Sequence, residues 1–95
     1  MGPEKVLVPL YQDETDDEVI ITADFPGIGR DELAIKLEKR WLSIRGTRGD
    51  VEYAAGANIR SSVEADKATA TMVGSVLTIR IPKAAGSRPI KILVR

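Results

Sequence analysis

Apolar and polar side chains alternate with a period of two along this chain, in short runs broken by Gly, Pro and Asp, and no stretch carries an apolar stripe at helical spacing. In "LAIKLEK" the residues Leu33, Ile35 and Leu37 share one face, and in "WLSIRGTR" Leu42 and Ile44 do so, with Lys39-Arg40 as the tight link between the two runs. "DKATATMV" places Ala68, Ala70 and Met72 on one side and Thr69, Thr71 and Val73 on the other, and "VLTIRIPK" returns after Gly74-Ser75. Glycine followed by serine marks a two-residue type II′ hairpin, which needs a positive φ only at its first position. The pattern predicts strands near 17–25, 33–38, 41–46, 68–73 and 76–81. "VLVPLYQ" is a candidate first strand whose internal Pro9 suits a sheet edge. "GTRGDVEYAAGAN" is weakly patterned and reads as a loop, with at most a short strand near "ANIRSS". Seven or eight short strands must bury their apolar faces against each other, so the expected fold is all-β, a two-layer antiparallel sandwich of immunoglobulin-like form.

Composition changes this picture mainly by exclusion. A chain of 95 residues, 43% hydrophobic and 29% charged, has room for one core. A domain of that size hides only about 60–65% of its unfolded surface, so function is expected on the surface and not in a deep enclosed site. There is no cysteine and no histidine. Disulfides, thiolate metal sites and cysteine nucleophiles are excluded, along with the commonest general base and the favoured zinc ligand. The remaining Ser, Thr, Tyr, Lys and carboxylates form no recognisable catalytic arrangement, so no enzyme, no cofactor and no metal site is expected. No apolar run approaches the roughly 20 residues of a membrane span, and "MGPEKV" carries no signal-peptide core, which makes a cytoplasmic protein the expectation.

Charge sums to zero but is unevenly placed. Residues 1–24 hold Glu4, Asp13, Glu14, Asp16, Asp17, Glu18 and Asp24 against Lys5, whereas 76–95 hold Arg80, Lys83, Arg88, Lys91 and Arg95 and no acid. This suits a mixed solvated surface, or head-to-tail pairing between neighbouring chains. Nucleic acid is not an expected partner, because there is no basic excess and the four aromatics are scattered. Arg48-Gly49-Asp50 and the "GIG" at 27–29 read as turns, and the acids at 13–18 lack the spacing of a calcium loop. Trp41 is expected at a sandwich edge or in the core.

The stretches "ADFPGIGRDELAIKL", "LSIRG" and "VEADKATATMVGSVLTIRIPK" together resemble the α-crystallin domain of small heat shock proteins, over about residues 10–94. Asp24, Pro26, Gly27, Glu32, Leu33 and Ile35 match the family's Asp-x-Pro-Gly turn and following strand. Ala70, Val76, Leu77, Pro82 and Lys83 match its Ala-x-x-x-(Asn/Asp)-Gly-Val-Leu element and Pro-Lys stop. Gly74-Ser75 replaces the usual Asn/Asp-Gly, an exchange of a type I′ for a type II′ turn. Residues 46–59 are too short for the long loop that many members swap between partners. The resemblance divides the chain into a short amino-terminal arm (1–9), a sandwich domain (10–83) and a carboxy-terminal extension (84–95).

That extension, "SRPIKILVR" after the linker, carries Ile90-Lys91-Ile92, which reads either as an edge strand of the chain's own sandwich or, by the resemblance, as the Ile/Val-x-Ile/Val motif with which relatives insert two branched side chains into a neighbour's groove. The resemblance implies an ATP-independent holdase that binds partly unfolded client proteins and self-associates into dimers or higher oligomers. Ile35 and Leu37 on one strand and Ala70 and Met72 on another are the candidate groove residues. The alternative is a p23-like sandwich that serves as a co-chaperone or adapter for one folded partner, and such domains lack the paired "IPK" and Ile-x-Ile elements.

Overall fold

The alternation in residues 18–24 becomes a burial pattern: Val19, Ile21 and Ala23 are buried and the residues between them are not. The computed structural model describes residues 4–95. Its strands are β1 (Glu4–Leu7), β2 (Leu10–Glu14), β3 (Glu18–Asp24), β4 (Leu33–Glu38), β5 (Trp41–Arg48), β6 (Val51–Asn58), β7 (Thr69–Val73) and β8 (Val76–Pro82). Two four-stranded sheets result, with strand orders β1-β6-β5-β4 and β2-β3-β8-β7. This is the expected all-β, two-layer sandwich. All neighbours run antiparallel except β1, which lies parallel to β6.

The core is contributed mainly by the central strands. Val19, Ile21 and Ala23 of β3 and Leu77, Ile79 and Ile81 of β8 face Leu42 and Ile44 of β5, with Phe25, Ile28, Ala55 and Ile59 completing the cluster. Pairing places Ile21 beside Ile79 and Val19 beside Ile81, so branched side chains stack along the sheet as well as across it. Each fully buried side chain of this size contributes about 1.5–3 kcal/mol relative to exposure.

Two expectations are corrected. Residues 46–59 are not a loop: β5 continues to Arg48, the chain turns at Gly49-Asp50, and β6 runs from Val51 to Asn58. Two of its outward positions, Ala54 and Gly56, are too small to give a clear alternation signal, and pairing to β5 and β1 supplies the order that local propensity does not. A Cβ at Gly56 would lie 2.8 Å from the Trp41 ring, so the missing side chain makes room for that indole on the outer face. Trp41 is therefore 54% exposed, not a core residue. The second correction concerns "VLVPLYQ", which is not one strand. The Val8 amide still bonds to Ala54 O (2.8 Å) beside β6, Pro9 turns the chain, and Leu10 begins β2 in the other sheet. A proline cannot donate to a ladder, and here it stands where the chain leaves one ladder for the other.

The turns follow their chemistry. Pro26-Gly27 forms a β-turn in which the Ile28 amide donates to Phe25 O (3.2 Å) and Gly27 has φ +78°, the pairing of a type II turn. Gly74 has φ +60° between Val73 and Val76, and Ser75 is not in the positive-φ region, as the type II′ expectation requires. Lys39, at the equivalent place between Glu38 and Trp41, has φ +57° although it carries a Cβ. That conformation costs a non-glycine residue about 1–2 kcal/mol. Lys39→Gly is expected to raise stability by up to about 1 kcal/mol once the extra freedom of the unfolded chain is subtracted. Gly74→Ala, at a site with nothing within 4 Å, should lower it by about 1 kcal/mol through the backbone alone. Thermal melting checks both, since 1 kcal/mol moves the midpoint of a domain this size by about 4–8 °C.

Candidate interaction site

The sandwich has two long seams, and the sequence closes only one of them. On one side the chain itself crosses between sheets at Val8-Pro9, and polar side chains stitch β2 to the segment leaving β6. Gln12 Nε2 donates to Asn58 O (3.2 Å), the Arg60 amide donates to Gln12 Oε1 (3.2 Å), and Arg60 Nη2 donates to Gln12 O (3.4 Å). Ser61 Oγ donates to the Glu14 carboxylate, which also lies 3.8 Å from Lys83 Nζ. The Ser61 hydrogen bond, with the Lys83 and Arg60 charges behind it, holds the Glu14 carboxyl below its ordinary range against a smaller opposing effect of burial.

The other seam lies between the edge strands β4 and β7. Among the described residues, no hydrogen bond or ion pair joins these two strands. Leu33 and Leu37 of β4 and Met72 of β7 pack against the core, while Ile35, on the same face as the two leucines, remains 39% exposed. A cleft of about 290 Å³ opens here, lined by Arg30, Leu33, Ile35, Ala70, Thr71, Met72 and Leu77. Three of the four groove candidates, Ile35, Ala70 and Met72, thus meet in one cleft. Leu37 sits on the same strand face but against the core and outside that cleft. Arg30, Leu33, Thr71 and Leu77 also line it and were not among the candidates; the i, i+2 relation of Leu33 to Ile35 is the signal that could have found Leu33.

Ile90 and Ile92 belong to no strand and are 83% and 84% exposed. The root of their segment is held: Ala84 N bonds to Ser62 O (2.9 Å), Ala85–Ser87 form a 3₁₀ turn, Ser62 N bonds to Ser87 Oγ (3.1 Å), and Arg88 Nε bonds to Lys83 O (3.0 Å). Beyond Arg88 the chain runs outward. The molecule measures 67 × 25 × 21 Å, although an eight-residue strand spans only about 26 Å. The protein therefore presents a cleft at one edge, lined mainly by apolar side chains with Arg30 and Thr71 among them, and an exposed tail with branched side chains elsewhere. No group of three or more metal-capable side chains occurs among the described residues, and no helix among them is long and apolar enough to cross a membrane.

A model of the Hsp20/alpha crystallin family matches residues 11–95. The chain belongs to this family. The assignment falls on the chaperone family suggested by the motifs and not on p23-like domains, and it is a family of non-enzymatic proteins whose members self-assemble. Among solved structures, the fold is similar to heat shock protein 16.0 from Schizosaccharomyces pombe, with a TM-score of 0.79 and 18% identity, covering 98% of this chain and 78% of that one. That likeness speaks for the fold alone. A small heat-shock protein from Xylella fastidiosa, described as having a distinct high order structure, gives a TM-score of 0.72 and 26% identity over 93% of this chain and 95% of its own. The hspA protein from Xanthomonas axonopodis gives 0.72 and 26% over 82% and 94%. No curated protein matches the chain.

In this small heat shock protein Arg48 pairs directly with Val51, so the connection from β5 to β6 is a two-residue turn with no room for a long exchanged loop. The Arg48 side chain instead reaches back to the Pro26-Gly27 turn, its Nη1 donating to Pro26 O (3.3 Å) and its guanidinium 5.9 Å from the centre of the Tyr53 ring. A glutamate held below its ordinary pKa stabilises the fold fully above about pH 4.3, and that contribution is lost as pH falls through the lowered value. Ser61→Ala is therefore expected to melt earlier than the parent protein at neutral pH, and the difference should shrink on acidification below pH 4. Melting curves across pH 2–7 check this.

Proposed function

We propose that this protein is an ATP-independent holdase that captures partly unfolded proteins on exposed apolar edges and assembles through its own tail. The observation that supports the reading is the mismatch between the two seams: one is stitched by polar side chains, the other is left open and lined mainly by apolar ones, and the tail exposes branched side chains at strand spacing. An open edge of this kind offers an unfolded segment what it lacks, a strand to pair with and a surface to bury against. The absence of cysteine fits a reducing cytoplasmic setting.

Ile90 and Ile92 of one copy insert into the cleft of another, with Lys91 in water. Burying two isoleucines contributes up to about 3–6 kcal/mol, from which the cost of association is subtracted, so assembly is reversible. Three outcomes are expected. Excess protein slows heat- or reductant-induced aggregation of several unrelated globular proteins without nucleotide, as measured by light scattering; unchanged rates overturn the holdase reading. Ile90→Ala with Ile92→Ala reduces the mass seen in sedimentation while the melting temperature stays within a few degrees, because both side chains lie outside the core. Lys91→Ala leaves the mass unchanged.

A further inference from the structure

The tail carries a third branched side chain in register with the two isoleucines. Ile90, Ile92 and Val94 follow each other at intervals of two, so an extended segment projects all three from one face over about 13 Å, with Lys91, Leu93 and Arg95 on the other. Val94 is 97% exposed, more than either isoleucine.

Both walls of the open seam repeat with the same period over the same length. On β4 the series is Leu33, Ile35, Leu37. On the facing wall it is Met72, Ala70 and then Ala68, whose backbone (φ −65°, ψ 143°) carries the extended line of β7 one step further. The cleft as formed covers the first two steps, and beyond it the half-buried Leu37 and the exposed Ala68 continue the two rows. Three steps on each wall match three anchors on the tail.

We infer that Val94 is a third anchor: the tail of a second copy docks as an Ile-x-Ile-x-Val strand along the whole edge between β4 and β7, and Leu93 stays outside. The inference rests on the tail-docking reading above. Its content is a contrast between neighbours. Leu93 is the larger apolar side chain and is also exposed, at 76%, so if tail binding followed hydrophobicity alone Leu93 would matter more than Val94. Register assigns the opposite order.

The test uses the full chain carrying Ile90→Ala and Ile92→Ala, whose own tail no longer competes, titrated with a fluorescent peptide of residues 88–95. A Val94→Ala peptide should bind about tenfold more weakly than the unsubstituted one, the loss expected for two buried carbons. A Leu93→Ala peptide should bind within about twofold of it. Equal binding of the Val94→Ala and unsubstituted peptides, or a Leu93→Ala loss as large as that at Val94, overturns the third anchor and leaves two-point docking in place. If the unsubstituted peptide does not bind a protein shown to be folded by circular dichroism, tail docking fails and the third anchor fails with it.

Discussion

Everything in this molecule depends on the packing of β3 and β8 against β5. Val19, Ile21, Ile79, Ile81, Leu42 and Ile44 are essentially inaccessible to water, and truncating any one of the leucines or isoleucines is the kind of change that costs about 2–5 kcal/mol. For a domain whose whole stability is of the order of 5–15 kcal/mol, that is a large share. Because the central strands supply this burial, the edge strands need not be complete. β4 and β7 keep residues such as Ile35 and Ala70 partly in water without endangering the fold.

The two seams divide the tasks of stability and recognition. The seam beside β2 is crossed by the chain at Pro9 and held by Gln12, Arg60, Glu14 and Ser61, whose polar groups satisfy one another and leave little for a partner. The seam beside β7 has no such stitches and remains apolar. An open apolar edge is ordinarily a liability for aggregation. Under the reading proposed above, the same property is the basis of capture, and the tail is spaced to cover it.

Part of the uneven charge of the chain is paired within one molecule. Glu18 of β3 pairs with Arg80 of β8 (2.7 Å), and Glu14 lies near Lys83, so the acidic first part and basic last part meet because their strands are neighbours or share a seam. Arg88 is spent on the Lys83 carbonyl.

What the sequence determined by itself is whatever depends on neighbours along the chain. Period-two patterning marked β4, β5 and β8 as strands and showed which of their residues share a face, Gly74-Ser75 set its hairpin, Pro26-Gly27 its turn, and the missing cysteine and histidine removed whole classes of chemistry. The Ile-x-Ile spacing was also legible, since period two is a local property. Tertiary structure alone decided the rest. β6 is a strand because β5 and β1 pair with it, although Ala54 and Gly56 give no pattern of their own. Trp41 lies outside by its alternation with the buried Leu42, but that its ring lies over Gly56 is set by cross-strand register, which no local rule shows. Pro9 divides two strands because the sheets on either side of it differ. Ile35 and Leu37 share one strand face, yet only Ile35 lines the cleft, since where the opposite sheet ends is set by packing across the sandwich and not by alternation within a strand.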